Sequence, residues 1–215
     1  MRISDIKPEV YSMAERAMAR VKPQFEKIDA VAEANTRRVM EAFQDNRVSD
    51  SCFAGTTGYG YDDLGRDTLD KIYAQIFGTE AALVRIGFVN GTHALTAAMF
   101  ALAKPGDVIL AATGMPYDTL RSAIGIEGEC HGSLKFYGID YRQVDMTASG
   151  APDYDGIAAA AADSRVAAVM IQRSRGYAER KALTIDEIRE ICAVVRRVNP
   201  AAHIMVDNCY GEFTD

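Results

Sequence analysis

The sequence predicts an α/β fold with a mostly parallel sheet, preceded by an N-terminal helical arm. Three observations carry that prediction. Short apolar runs recur between helical segments from about residue 81 onward. The strongest of them, Val166-Ala-Ala-Val-Met-Ile-Gln172, has the length and branching of a buried strand. The first forty or so residues instead repeat apolar side chains at helical spacing. Strands separated by helices over this length indicate parallel pairing, and ligands of such sheets bind beyond the strand C-termini.

Residues 8 to about 46 read as helix. Pro8 suits a first turn, and Val10, Met13, Ala14, Ala17 and Met18 form a stripe. Pro23 is expected to break or kink it. A second stripe runs through Phe25, Ile28, Val31 and Ala32 to Val39, Met40 and Phe43. Residues 52–66, CFAGTTGYGYDDLGR, lose this periodicity and read as a glycine-rich loop. A helix is expected over 67–77, burying Leu69, Ile72, Tyr73, Ile76 and Phe77, with Gly78 as its C-cap. Ala81–Arg85 is a strand candidate. Gly91–Ala103 is a helix stopped by Lys104-Pro105-Gly106-Asp107, and Val108–Ala111 is a buried strand. A short helix at Pro116–Ile124, a strand at Tyr141–Val144 and a helix at Ile157–Ala162 follow. Thr184 and Glu187 form a capping box. The helix they open shows Ile188, Ile191, Cys192 and Val195 on one face, and Asn199-Pro200 stops it. His203–Val206 is a last strand ending at Asp207.

Composition bounds the function. The 215 residues are 48% hydrophobic and 25% charged, ordinary for a globular chain and sufficient for one domain or one and a fraction. The formal net charge of −6 is the wrong sign for nucleic acid or an anionic membrane surface. Cys52, Cys130, Cys192 and Cys209 form no C-x-x-C pair and read as reduced thiols. The start, Met1-Arg2-Ile3-Ser4-Asp5, carries no apolar run, so no signal peptide is expected. With no stretch near the ~18 apolar residues of a membrane span, a cytoplasmic protein is expected.

The commonest α/β enzyme signatures are missing. There is no G-x-x-x-x-G-K-[ST], no G-x-S-x-G and no H-E-x-x-H; Gly58-Tyr59-Gly60 does not extend to G-x-G-x-x-G. His93, His131 and His203 are too scattered to indicate a metal site. Four segments remain. Asn90-Gly91-Thr92-His93 opens a helix whose free N–H groups favour an anion, unless it is simply a helix start. Asp207, ending an apolar strand, either caps the next turn or holds a protonated ring nitrogen. Tyr117, beyond the 108–111 strand, either stacks on a flat ring or half-covers the surface. The loop Gly58-Tyr59-Gly60-Tyr61-Asp62-Asp63 either reaches a phosphate or a neighbouring subunit, or is solvated.

Taken in order, GTTGYGYDDLGRDTL (55–69), NGTHAL (90–95), GMPYDTL (114–120), IQRSRGY (171–177) and VDNCYGEF (206–213) resemble the aluminium-resistance or methionine gamma-lyase-like proteins. These are fold-type I pyridoxal phosphate enzymes related to the cystathionine and methionine lyases. The resemblance covers roughly residues 50–215. It implies the three-layer α/β/α large domain of that fold, incomplete here, with an arm over 1–50 and the partial cofactor-binding domain over 51–215. It implies pyridoxal 5'-phosphate as cofactor, and elimination from a sulfur-containing amino acid as reaction. An aldolase or aminotransferase reaction and a non-catalytic binding module are the alternatives.

By the same resemblance, Gly91, Thr92 and His93 cradle the cofactor phosphate, and Tyr117 stacks on the pyridine ring. Asp207 pairs with the ring nitrogen, making Asp207 and Tyr117 the catalytic pair. Tyr59 reaches the phosphate of a neighbouring subunit, so a homodimer or homotetramer with interfacial sites is implied. Arg173 and Arg175 are candidates for a cofactor or substrate anion. Two departures stand out. Tyr61 replaces an arginine of the relatives, and Thr92 replaces a methionine. The Schiff-base lysine of this family follows a further strand after the ring-nitrogen aspartate, whereas the last lysine here, Lys181, precedes Asp207. The chain is therefore expected to be a fragment of a longer enzyme.

Overall fold

The computed structural model describes residues 5–57, 59, 61, 63–128 and 131–214. Met1–Ser4, Gly58, Gly60, Asp62, Glu129, Cys130 and Asp215 lie outside the described residues. The chain divides into two compact units, residues 1–85 with 213–215, and residues 86–212. Residues 51–85 thus group with the N-terminal helix, whereas the sequence reading grouped them with the sheet.

In the first unit, α1 spans Pro8–Asp45 and α2 spans Leu64–Phe77. Pro23 does not break α1, which runs through it. Proline deprives the Ala19 carbonyl of its intrahelical donor, but Ala19 is exposed, so water can satisfy it. Only Asn35 and Ala42 of this helix are buried. Ala42 packs with Ile72 and Ile76 of α2, and Val39 and Val48 pack beside them. Gln75 adds a polar clasp, donating to Asp45 at 2.7 Å and accepting from Asn46 at 2.8 Å. Helix α2 begins three residues earlier than the apolar pattern indicates, because the Asp63 side chain accepts from the Arg66 N–H at 3.0 Å and caps it. Of its expected apolar face, Ile72 and Ile76 are buried, while Tyr73 and Phe77 are exposed. Gly78 ends it with φ +64, the left-handed conformation a C-cap requires.

Ala81–Arg85 is not a strand. A carboxylate takes its backbone donor: Asp70 Oδ1 accepts from the Val84 N–H at 2.8 Å and from Arg85 Nη1 at 2.7 Å. An apolar run whose N–H is captured by a side chain has no reason to join a sheet.

The second unit holds α3 (Gly91–Leu102), β1 (Val108–Ala111), α4 (Asp118–Ile124), β2 (Asp140–Gln143), α5 (Tyr154–Ala161), β3 (Val166–Gln172), α6 (Ile185–Val198) and β4 (His203–Asp207). The four strands are all parallel, in the order β2-β1-β3-β4. Period-2 alternation sends their side chains to two cores. Val108, Leu110, Val169 and Ile171 pack with Ile157 and Ala161 of α5 and Ile191, Val194 and Val195 of α6. Ile109, Ala111, Met170 and Met205 pack with Met99 of α3 and Leu120 and Ile124 of α4. Helices thus cover both faces, giving three layers. The expected capping box of α6 is present, with the Thr184 hydroxyl accepting from the Glu187 N–H and Glu187 accepting from the Thr184 N–H.

Leu110, fully buried in the central strand β1, tests this core. Leu110→Ala is expected to cost about 2–5 kcal/mol of stability, the range for a large-to-small change that leaves a cavity. Urea unfolding should show a lower midpoint, with a slope close to that of the unsubstituted chain.

Candidate active site

Three adjacent strands, β1, β3 and β4, end at the same edge. Their C-terminal connections build one pocket of about 660 Å³ in the second unit. Its lining includes Gly91 and Thr92 from the start of α3, Tyr117 from the β1–α4 loop, and Asp207 from the end of β4. These four residues, expected from sequence, therefore come together.

The start of α3 is arranged to leave donors available. The Asn90 side chain accepts from the His93 N–H at 2.8 Å, and its carbonyl accepts from the Ala94 N–H at 3.1 Å. Among the described residues no acceptor is recorded for the N–H groups of Gly91 and Thr92. Apart from its chain neighbours and the backbone of its own helix, no atom lies within 4 Å of the position a Gly91 Cβ would take, so that side of the glycine is open. The Thr92 hydroxyl joins the Tyr117 hydroxyl at 3.1 Å and that of Thr119 at 2.9 Å. Helix start and aromatic ring are thus tied together.

Tyr117 is half-buried and serves as N-cap residue of α4 without a side-chain cap bond. Its N–H donates to Gln172 Oε1 at 3.1 Å. Asp207 is only 6% exposed. Its Oδ1 accepts from the Cys209 N–H at 3.1 Å, and Oδ2 has no recorded partner among the described residues. Burial pushes its pKa up, the Cys209 amide opposes the rise, and the charge of Glu212 adds to it. A desolvated carboxylate with one oxygen unpaired and facing a pocket is a site for a cation or a protonated nitrogen.

The other expected residues are placed differently. His93 is exposed and is not among the lining residues. Its Nδ1 accepts from the Val89 N–H at 3.3 Å, and its ring meets the edge of Phe88. Arg173 is buried and also stands outside the lining. Its guanidinium donates to the Gly211 carbonyl at 2.7 Å, to Asn208 Oδ1 at 3.0 Å and to the Leu183 carbonyl at 3.4 Å. It thereby braces the segment after β4. Arg175 is exposed, and Tyr59, 83% exposed, belongs to the first unit.

Sequence reasoning missed several lining residues: Asp118, Ser174, Tyr177, Cys209, Tyr210 and Glu212. All lie within the recognised segments, two to seven residues past a strand end, and that placement is the signal that could have found them. Burial raises the Cys209 thiol pKa, and Asp207 and Glu212 raise it further, so it is held as a thiol rather than a thiolate nucleophile. No group of three or more His, Cys, Asp or Glu among the described residues is arranged to hold a metal ion. Nor is any described helix long and apolar enough to cross a membrane.

Known proteins resemble this sequence and share this fold. The uncharacterized protein YnbB of Bacillus subtilis (strain 168) is 47% identical over 189 residues, covering 87% of this chain and 45% of that protein. The crystal structure of a carbon-sulfur lyase involved in aluminum resistance from Clostridium novyi NT superposes with a TM-score of 0.91 at 45% identity, covering 98% of this chain and 50% of that one. The pyridoxal-5'-phosphate dependent protein YhfS from Escherichia coli shares the fold at a TM-score of 0.59 and 18% identity, over 83% of this chain and 45% of that one. The three-layer unit accordingly shares its fold with that protein. The chain spans about half the length of these relatives. The family model described as methionine gamma-lyase matches residues 10–215, and the chain belongs to that family.

Proposed function

We propose that this chain carries the cofactor-binding half of a pyridoxal phosphate-dependent carbon–sulfur lyase that acts by elimination on a sulfur-containing amino acid. The observation that carries this reading is the unpaired oxygen of buried Asp207, which lines a pocket together with an open helix start and a tethered tyrosine.

The residues present fit the cofactor. The N–H groups of Gly91 and Thr92, at the positive end of α3, would take its phosphate. Tyr117, fixed at its hydroxyl by Thr92 and at its amide by Gln172, would flank the ring. Asp207 would hold a proton on the ring nitrogen. Its carboxylate is already partly desolvated by the fold, so pairing with a cation there adds attraction at a reduced dehydration cost. Once bound, the cofactor supplies an electron sink conjugated to the substrate Cα, which makes proton loss there and departure of a sulfur substituent accessible. Glu212 and Asp118 line the same pocket, and their negative charge favours a substrate that enters with its amine protonated. Among the described residues no lysine lines the pocket. The lysine that this chemistry requires would come from the remainder of the protein, and Tyr59 would serve the phosphate of a second subunit.

Pyridoxamine 5'-phosphate, which needs no lysine for binding, is the direct probe. The chain is expected to bind it, and Asp207→Ala to weaken binding about ten- to a hundredfold, as loss of a charge-assisted hydrogen bond does. Equal affinity in the two proteins, by fluorescence titration, would exclude the assigned role of Asp207. For the complete protein, incubation with a sulfur amino acid should release ammonia and a 2-keto acid; transamination without ammonia would exclude elimination.

The same carboxylate has a cost to stability. Its pKa in the folded chain is raised above the unfolded value of 3.8. The native state therefore holds this proton more tightly, and stability is lost as pH rises from 3.8 through the folded value. Asp207→Asn removes that dependence. The ligand-free variant is expected to melt above the unsubstituted chain at pH 8, with the gap narrowing toward pH 4. A constant gap across this range in thermal unfolding would contradict the raised pKa.

A further inference from the structure

Gln172 closes β3 and is 5% exposed. Both ends of its side-chain amide are used: Oε1 accepts from the Tyr117 N–H at 3.1 Å, and Nε2 donates to the Ser174 carbonyl at 3.0 Å. Its main chain is equally engaged. The N–H donates to the Thr113 hydroxyl at 3.1 Å, and the carbonyl accepts from Arg180 Nη2 at 3.0 Å. The same Arg180 nitrogen reaches the Ser174 carbonyl at 2.6 Å. In the sheet Gln172 stands in register opposite Asp207.

Tyr117 and Ser174 line the pocket, and Gln172 does not. One buried amide thus joins the main chain of Tyr117 on one side of the pocket to that of Ser174 on another, from a position in register with the carboxylate. A buried amide satisfied at both ends has one geometry at low cost, and displacing either partner leaves an unpaired polar atom. We propose that Gln172 is a positioning residue: it holds the main chain of Tyr117 at a fixed place relative to Asp207, so that ring and carboxylate meet the same bound molecule. This extends the cofactor reading above and rests on it for the identity of that molecule.

The test compares Gln172→Leu, which loses both side-chain bonds, with Gln172→Glu, which keeps an acceptor for Tyr117 and loses the amide donor to Ser174. Hydrogen exchange of individual backbone amides reads the geometry without any ligand. In Gln172→Leu the Tyr117 amide should exchange about tenfold faster or more, while the Ala168–Ile171 amides of β3 keep their protection. In Gln172→Glu the Tyr117 amide should stay protected. Pyridoxamine 5'-phosphate affinity should fall about fivefold or more in Gln172→Leu, and by less in Gln172→Glu. An unchanged Tyr117 amide in Gln172→Leu would overturn the inference. So would a loss of protection spread through β3, or equal affinity losses in the two variants. Failure of the unsubstituted chain to bind the probe would instead overturn the cofactor reading, and the exchange data alone would then decide the role of Gln172.

Discussion

The site is organised by one electrostatic constraint: a carboxylate is held largely out of water at the lining of a pocket, where a bound proton or an incoming positive group neutralises it. Asp207 sits at the end of a strand whose burial alternates, so its side chain is carried inward by the pleat. Glu212 makes the surroundings more negative, and a single backbone N–H is the only recorded relief. A protein tolerates this strain on its own stability when a ligand repays it. The neighbouring features follow the same pattern among the described residues, since the helix start at Gly91 offers donors without acceptors and Asp207 Oδ2 offers an acceptor without a donor. A molecule with an anionic group and a protonated nitrogen is complementary to both.

Much of the sheet was legible in the sequence, because buried parallel strands announce themselves as continuous β-branched runs. Val166–Gln172 has the expected bounds, and the Thr184 capping box is in place. The misreadings have local causes. Pro23 carries a strong breaker signal, but that signal assumes the orphaned carbonyl is buried, and on exposed α1 it is hydrated. Ala81–Arg85 looks like a strand by composition. What unmakes it is Asp70, fourteen residues before Val84, whose carboxylate captures the backbone donor. A long-range side-chain bond of that kind leaves no periodic trace.

The site divides in the same way. Gly91, Thr92, Tyr117 and Asp207 were legible because each follows or opens a regular element at the ligand-binding edge. Arg173 was read as a candidate anion ligand from the resemblance of its segment, yet its guanidinium faces carbonyls of the protein. Charge in a sequence does not say which way a side chain turns. Gln172 was passed over for the opposite reason: a neutral amide at the end of an apolar strand carries no chemical signature until its two partners are seen.

The brace that Arg173 forms has a consequence for substitution. A Cβ on Gly211 would come within 2.4 Å of the Arg173 guanidinium and 2.6 Å of the Asn208 side chain. The arginine passes beneath the segment after β4 at a position that has no side chain. Although the two residues are 38 apart in sequence, a side chain at Gly211 fits only if the guanidinium and the Asn208 amide swing aside, which gives up the bonds that hold the segment.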